Sequence, residues 1–376
     1  MSLLANPFAK SKAKAGEGEI VLSLLPPGKQ LLTTFEYQYP LKLISPDPHK
    51  VTVATVDDNV SKEVPVTTVF LLTYGGGLLA SDSINLVVTL EAHTRLALLT
   101  QGSTKIFKAD SNTKTSTTTP LSIAPLSQSQ VQKPTSQTLN VKISPHAALV
   151  YIPDPNQPYA QSIYEQRQTF YVDPHGSSSL LFLDWVSEGR SARGERWTLT
   201  SWKGRNEVRE FDETSKGRLL IRDALLLFGD DLMAKTDGKG ILGTLVIYGP
   251  MFKKLSDFFM KEFKNLPRIG AMNWKASTPK PKTPVPPKTP TIAEVDEAGK
   301  GGDYFNIAHV STPKKPPRKA EEIDGLLWTA AQVRGFVLVK FGAKEVDGAR
   351  RWLGEMLKRE GSVEREFGHQ ALLCLR

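Results

Sequence analysis

Residues 66–108 read VTTVFLLTYGGGLLASDSINLVVTLEAHTRLALLTQGSTKIFK, and the pattern of this stretch decides the class of fold. Residues 66–74 are rich in β-branched and apolar side chains, which favours a strand. After three glycines, apolar and polar residues alternate from 84 to 90, and a period of two is typical of a half-buried strand. Residues 94–100 are a further apolar run. The stretch therefore predicts three strands joined by turns.

The glycines Gly75, Gly76 and Gly77 allow a second interpretation. Gly75-x-Gly77-x-x-Ala80 has part of the spacing of a dinucleotide fingerprint, and the protein would then be a nucleotide-dependent oxidoreductase. That motif requires a helix after it, because the pyrophosphate binds free N–H groups at the helix N-terminus. The alternation that follows favours a glycine turn between strands. A strand at residues 84–90 would exclude the oxidoreductase.

Short strand-like segments continue along the chain. Residues 19–39 predict two strands separated by a turn at Pro26-Pro27-Gly28. Further strands are predicted at 139–152, 162–172, 178–186, 195–202, 207–211 and 218–226. A turn at residues 203–204 is predicted to separate the strands 195–202 and 207–211. Many short strands without intervening helices predict an antiparallel β architecture.

Two amphipathic helices are predicted in the C-terminal third. Residues 250–266 begin with Pro250, which suits the first helical position, and carry one apolar stripe. Residues 344–359 show the same pattern, and Gly361 follows them. Between the helices, residues 326–341 predict a pair of strands. The fold class is therefore mainly β, with two helices late in the chain.

The composition divides the chain into one domain with flexible segments. Residues 1–18 are predicted to be a flexible N-terminal tail, and residues 19–376 a single β domain. Two low-complexity insertions interrupt it at about 111–138 and 275–319, the first rich in Ser, Thr, Gln and Pro, the second in Pro, Lys and Thr. Segments with so few apolar side chains cannot offset the entropy of ordering, so both are predicted to be disordered.

The charge and the reactive residues limit the possible functions. The net charge of +9 is concentrated in the tail and the second insertion, which argues against a folded nucleic-acid-binding face. Binding of nucleic acid by the Lys/Pro-rich segments stays an alternative. A single cysteine excludes an intrachain disulfide, and this fits a reducing cytoplasm. No apolar run approaches the roughly 18 residues of a membrane span. The sequence contains no hydrolase or metalloprotease motif and no histidine spacing of a tight metal site, so no enzyme is predicted.

Carboxylates beside or inside apolar strands are the candidate site residues. Hard oxygen ligands without cysteine or clustered histidine bind a divalent cation weakly and exchangeably, which suits the passage of a metal. A surface position or an ion pair with a nearby arginine is the alternative for each of them. The candidates are Asp82, Asp154, Glu165, Asp184, Glu188 and Glu195.

Several motifs resemble the urease accessory protein family UreD, called UreH in some bacteria. Gly-Gly-Leu, Asp82 and then TQGSTK at 100–105, with Gly102 and Lys105, resemble its GG-x-x-x-GD segment and the strand region beyond it. Ser81 stands where the family has the glycine before this aspartate. Residues 146–172, with YIPDP at 151–155, resemble its segment around L-x-P-D-P. Residues 188–209 resemble its GR-x-x-x-GE segment, through Gly189-Arg190 and Gly194-Glu195.

The resemblance implies a fold and a function. The fold would be an extended, solenoid-like (β-helical) arrangement of antiparallel or mixed strands. The protein would be a cytoplasmic chaperone that binds apo-urease and a UreF-like helical protein, which recruits a UreG-like GTPase, with neither nucleic acid nor membrane as partner. The assembly would insert Ni(II) into urease, and the metal would be bound only transiently, without a tightly bound cofactor.

An internal path for nickel is also implied by the resemblance. Asp82 and Glu195 match family positions associated with such a path, and Asp154 and Glu188 are further candidates. Arg190 and Arg167 are alternative, structural partners for these acids. The motif residues predicted to shape the turns are Gly75, Gly76, Gly77, Gly102, Lys105, Gly189, Arg190 and Gly194.

Overall fold

Strands form most of the regular structure. The computed structural model describes residues 13–54, 61–109, 133–211, 217–266 and 318–376. The strands are, in chain order, β1 (Glu17–Leu25), β2 (Lys29–Tyr37), β3 (Leu41–Ile44), β4 (His49–Ala54), β5 (Ser61–Thr73), β6 (Gly77–Leu78), β7 (Ser83–Leu90), β8 (Arg95–Leu99), β9 (Lys105–Ile106), β10 (Thr135–Ile143), β11 (Ala148–Ile152), β12 (Gln157–Pro158), β13 (Ile163–Val172), β14 (Ser179–Ser187), β15 (Ser201–Glu210), β16 (Leu219–Phe228), β17 (Ile241–Tyr248), β18 (Leu327–Val333) and β19 (Phe336–Ala343).

The helices are short except for two. They are α1 (Leu232–Lys235), α2 (Lys253–Lys264), α3 (Arg318–Ile323), α4 (Val346–Glu360) and α5 (Ser362–Phe367). Segments of 3₁₀-helix occupy Tyr74–Gly76, Ser191–Arg193, Pro250–Phe252 and His369–Leu375. None of the helices in the described ranges is long and apolar enough to cross a lipid bilayer.

The strands form three sheets. A seven-stranded sheet has the order β16-β15-β13-β10-β7-β1-β2. A nine-stranded sheet has the order β18-β19-β17-β14-β11-β8-β5-β3, with β4 paired to β5. A small sheet has the order β12-β9-β6. The two large sheets keep edge strands and do not close.

The chain visits the sheets in rotation. From β5 to β13 each circuit contributes one strand to the nine-stranded, the small and the seven-stranded sheet in turn. Neighbouring strands from successive circuits pair in parallel in all three sheets. Antiparallel pairs, such as β1 with β2 and β17 with β19, lie toward the flanks. The two large sheets therefore contain both parallel and antiparallel pairs. The antiparallel architecture predicted from strand spacing is wrong for their central strands. The spacing of strands along the sequence does not reveal parallel pairing, because each central strand pairs with a strand that comes a whole circuit later.

Two apolar cores hold the layers together. The first joins the facing sides of the two large sheets, and Phe170 of β13 stacks on Phe182 of β14 with 4.4 Å between ring centroids. The alternation in β7 has its expected result, since Ile84, Leu86, Val88 and Leu90 are fully buried. The second core lies on the other side of the nine-stranded sheet, which α2, α4, α5 and the final 3₁₀ segment cover. Strands β8 and β11 are therefore covered on both faces and are almost continuously buried.

The strand β7 decides between two sequence interpretations. It occupies Ser83–Leu90, where a dinucleotide fingerprint would need a helix. The oxidoreductase that would use Gly75 and Gly77 is therefore excluded. The helices predicted at 250–266 and 344–359 are confirmed as the 3₁₀ segment followed by α2, and as α4. The C-terminal third also contains the shorter α3 and α5.

One predicted strand and one predicted turn are wrong. Residues 195–200 are not a strand, and β15 runs without interruption through the turn predicted at 203–204. Gly204 in this strand leaves room for a neighbouring side chain. A Cβ added at Gly204 would lie 3.0 Å from Nε1 of Trp202, whose indole is buried in the first core.

The element boundaries differ from the predicted tail and insertions by a few residues. Strand β1 begins inside the predicted tail, β10 begins inside the first predicted insertion, and α3 begins at the end of the second. Residues 1–12, 110–132 and 267–317, which contain most of these segments, lie outside the described residues. Their predicted disorder and the binding of nucleic acid by the Lys/Pro-rich segments therefore stay predictions.

Candidate functional site

Glu195 is tied to Arg190 across a tight turn. Arg190 Nε donates a hydrogen bond to Glu195 Oε2 at 2.8 Å, and Nη2 donates to Oε1. The guanidinium carbon lies 3.9 Å from the ring centroid of Tyr159, and the Ala160 N–H donates to the same carboxylate at 3.3 Å. The hydrogen bond from Arg190 holds the pKa of Glu195 below its usual value. This is the arrangement of a structural ion pair.

Two further candidate acids are also paired with arginine. Glu188 Oε2 accepts a hydrogen bond from Arg196 Nε at 2.7 Å, and its side chain is 9% exposed. Asp154 Oδ1 lies 3.0 Å from Nη2 of Arg350 in α4, and its Oδ2 accepts the Gly102 N–H at 2.8 Å. Asp154 thus links the loop after β8, through Gly102, to α4, through Arg350.

Asp82 closes the turn between β6 and β7. Its Oδ2 accepts the Leu79 N–H at 2.8 Å, and its own N–H donates to Leu79 O at 3.1 Å. Ser81 has φ of +66°, the left-handed conformation that glycine adopts without strain. Its N–H donates to Thr135 Oγ1 and its Oγ to Lys133 O, at 3.1 and 3.2 Å. The serine thus keeps the backbone shape expected of the family glycine.

The motif glycines differ in conformation. Gly77 is extended, lies in β6 and is buried against Lys105 of β9, and a Cβ added to it would lie 2.6 Å from Lys105 O. The others have positive φ: Gly75, Gly76, Gly102, Gly189 and Gly194.

The four path candidates do not form one site. In the described ranges, no three His, Cys, Asp or Glu side chains are placed so that they could hold a metal ion together. Three of the acids are neutralised by arginine, and Asp82 is half-buried in a surface turn. A role in a nickel path stays a prediction for all four.

A different acid, Asp184, lies between the large sheets. It projects from β14, where Oδ1 accepts a hydrogen bond from Gln166 Nε2 of β13 at 2.8 Å. Its Oδ2 accepts one from Asn206 Nδ2 of β15 at 2.6 Å. Gln166 Oε1 in turn accepts from Asn156 Nδ2 at 3.1 Å and lies near the Tyr164 hydroxyl. We call Gln137, Asn156, Tyr164, Gln166, Asp184 and Asn206 the interior polar layer.

The surroundings of Asp184 favour its neutral form. Enclosure by the two sheets raises the pKa of this carboxyl group and Asp223 adds to the rise, whereas the two amide donors and the nearby Lys340 oppose it. Lys340 lies 2.5 Å from Asp223 Oδ1 and forms the direct ion pair there. The direct hydrogen-bond partners of Asp184 within the described chain are neutral amides. Its charge is therefore stabilised less than that of the three arginine-paired acids.

A cleft connects this layer with the molecular surface. It has a volume of about 150 Å³ and is lined in part by Asp184, Asp223, Thr244 and Lys340. The side chain of Lys340 is half exposed. The sequence contains a signal for the layer, because Tyr164, Gln166 and Gln168 occupy alternate positions on the same face as Phe170. Polar residues at core-facing positions of a strand indicate an interior network.

Comparison with known proteins gives the family. The model of the family described as UreD urease accessory protein matches residues 15–373. The chain belongs to the UreD family. This confirms the resemblance found in the sequence motifs. It gives the chain a role in urease maturation, with urease and other accessory proteins as its interaction partners.

Relatives of this UreD-family chain occur in fungi and plants. A UreD-like urease accessory protein of Schizosaccharomyces pombe is 23% identical over 323 residues, 84% of each chain. Urease accessory protein 4 of Cryptococcus neoformans is 26% identical over 361 residues, 92% of this chain and 91% of the relative. Urease accessory protein D of Oryza sativa subsp. indica is 26% identical over 293 residues, 77% of this chain and 76% of the relative.

The UreD-family chain also has an apolar groove between the edge strands of its large sheets. We call it the edge groove; strands β16 and β18 line it, and its volume is about 730 Å³. Leu226, Phe228 and Leu327 are 57%, 59% and 64% exposed there. Lys235, Asp237 and Lys239 also line it, and Lys239 Nζ lies 3.3 Å from Asp237 Oδ2. Exposed apolar patches of this kind are frequent at protein–protein contacts and ligand-binding grooves.

Proposed function

We propose that this UreD-family chain is a non-catalytic scaffold for nickel insertion into urease in the cytoplasm. It binds apo-urease and a UreF-like helical protein, through which a UreG-like GTPase joins the assembly. It gives Ni(II) a path toward the urease active site and holds the metal only transiently. The family membership supports the role in maturation, and the interior polar layer supports the path.

The observation that carries the nickel path is the carboxylate of Asp184, which is half-buried between the large sheets. An interior carboxylate without a direct cationic partner is costly, so it takes up a proton or a cation readily. Carboxylate and amide oxygens are hard ligands, and a site with one acid among neutral amides binds a divalent ion weakly. Weak binding allows the ion to be released to the next position.

The path runs across the strands. Gln137 of β10 is in register with Gln166 of β13, and Asn206 of β15 is in register with Asp223 of β16. Asp184 accepts hydrogen bonds from Gln166 and Asn206 and so connects the two pairs. The rotation of the chain through three sheets supports the solenoid-like arrangement implied for the family. In such an arrangement, equal register positions form a row along the molecule.

Substitution of Asp184 tests the path. Asp184→Asn keeps the size and polarity of the side chain and removes its charge, and Glu63→Gln, at a side chain 62% exposed on β5, is the control for loss of a carboxylate charge. Each variant is co-expressed with urease and its other accessory proteins. We expect Asp184→Asn to co-purify with apo-urease as the parent chain does, and the urease to contain less nickel. The control leaves the nickel content unchanged.

The rival path through the motif acids is tested in the same assay. Asp82→Asn and Glu195→Gln remove the charges of the two family-position acids. Urease co-expressed with Asp184→Asn could be fully loaded with nickel while urease co-expressed with Asp82→Asn or Glu195→Gln contains less. That result would place the path at the motif acids. Full loading with all three variants would reject a carboxylate-guided path.

For the edge groove we propose the UreF-like protein as the occupant. An apolar groove accepts the apolar face of an amphipathic helix, and Lys235 at the groove complements an acidic residue beside that face. Leu226→Asp places a charge in the groove, and Leu31→Asp is the control at another half-exposed leucine, on β2. We expect only Leu226→Asp to lose the UreF-like protein in a pull-down. If both variants bound the UreF-like protein equally well, the edge groove would be rejected as its binding site.

A further inference from the structure

Two histidines stack on the outer turns that join the large sheets. His93 lies in the turn between β7 and β8, and His146 lies in the turn between β10 and β11, one circuit later. Their ring centroids are 4.9 Å apart and the ring planes differ by 13°. Both residues are exposed. The His93 N–H donates to Pro145 O at 3.2 Å, so the two turns are bound directly to each other.

Both histidines adopt a backbone conformation that residues other than glycine rarely adopt. Their φ angles are +64° and +59°. In the next turn along the molecule, between β13 and β14, the residue in the left-handed region is Gly176, with φ of +75°. Since both imidazoles are exposed, packing of the core does not require them. Exposed residues in this region of backbone space are candidates for a functional side chain.

The turns hold the two imidazoles on a fixed frame. The Thr94 N–H and Oγ1 both donate to Glu91 O, at 3.3 and 2.7 Å, and close the first turn. The Ala147 N–H donates to Ser144 O at 3.1 Å and closes the second. The His146 N–H is also bound, at 3.2 Å, to Ser177 Oγ. The backbone of both turns is thus fixed with the ring centroids 4.9 Å apart, and joint ligation of one ion requires the rings to turn out of the stacked arrangement.

We infer that His93 and His146 form a surface site for a first-row divalent transition-metal ion such as Ni²⁺. Neutral imidazole nitrogen is a preferred ligand of nickel, zinc and copper. Two protein ligands leave the remaining positions to water or to groups of another molecule, so the ion exchanges easily. The pair lies on the outer turns, apart from the interior polar layer, and the inference does not depend on the proposed path.

Titration of the purified full chain with NiCl₂ in a calorimeter tests the site. The variants are His93→Asn and His146→Asn, because asparagine tolerates the left-handed region and keeps the turn. His175→Asn is the matched control, at the histidine of the neighbouring turn. Loss of one of the two ligands is expected to weaken nickel binding by at least about tenfold, that is about 1.4 kcal/mol. The control is expected to bind as the parent chain does.

A second measurement separates a joint site from independent histidines. Paramagnetic Ni²⁺ at substoichiometric amounts is expected to broaden the imidazole proton resonances of His93 and His146 together, and either variant is expected to relieve the broadening of the other ring. An unbroadened pair, or equal weakening by His175→Asn, would overturn the inference. Thermal unfolding without metal shows that each variant is folded, and an unchanged or raised midpoint is expected.

Discussion

The carboxylate of Asp184 offers a quantitative test of the interior polar layer. Asp184→Ala leaves the amide donors of Gln166 and Asn206 without their acceptor, and an orphaned interior donor costs about 1–3 kcal/mol. Two donors set a range of about 2–6 kcal/mol. The cleft of about 150 Å³ beside them is large enough for water, so we expect a value near the lower end.

Asp184→Asn should behave differently. The Oδ1 atom of Asn206 has no hydrogen-bond partner in the described structure, so a flip of this amide lets it accept from the new side chain. We expect a change in the free energy of unfolding within about 1 kcal/mol at neutral pH. Urea unfolding followed by tryptophan fluorescence measures both variants. An equal loss of stability in the two would refute the proposed hydrogen bonding.

The pH dependence of the free energy of unfolding shows whether the charge of Asp184 stabilises or destabilises the folded chain. Because the folded-state pKa of Asp184 is raised, its protonation stabilises the folded chain at low pH. This contribution is complete below the unfolded value of about 3.9 and is lost as the pH rises through the folded pKa. Asp184→Asn cannot titrate, so its stability relative to the parent chain should increase with pH over that window. A difference that is constant from acid to neutral pH would contradict the raised pKa.

Three further predictions concern single positions. Burial raises the pKa of the Cys374 thiol to about 12, so a thiol reagent at pH 8 should label it only in the unfolded protein, and rapid labelling of the native chain would contradict this. At Ser81, Gly should change the unfolding free energy by less than about 1 kcal/mol, whereas Val should cost about 2 kcal/mol, because a β-branched residue rarely adopts positive φ. Gly77→Ala should cost about 1–3 kcal/mol in urea unfolding, since the new Cβ would overlap Lys105 O; a neutral result would show that β6 and β9 can separate.

The sequence was informative wherever structure depends on near neighbours. The alternation from Ile84 to Leu90 predicted β7, and the apolar stripes predicted α2 and α4. Parallel pairing could not be predicted in the same way, because Leu86 pairs with Leu139 across more than a full circuit of the chain. Gly204 was interpreted as a turn, since a single sequence does not show that an indole lies against the glycine.

The candidate site divides in the same manner. Arg190 and Glu195 are separated by five positions, and their motif pointed to both of them. Asp184 was among the notable acids, but its partners Gln166 and Asn206 are 18 and 22 positions away on the opposite sheet. Gln166 lies on the same face of β13 as Phe170, and only the packing of the sheets shows that it faces Asp184.

The open edges of the two large sheets have a consequence for the supply of this protein in a cell. Within the described residues, strands β16 and β18 each end a sheet beside the edge groove, where Leu226, Phe228 and Leu327 are exposed. Bare edges and exposed apolar side chains promote self-association, while a bound partner covers both. We therefore expect a surplus of the chain over its partners to self-associate. Balanced synthesis of the chain and its partners would keep these edges covered.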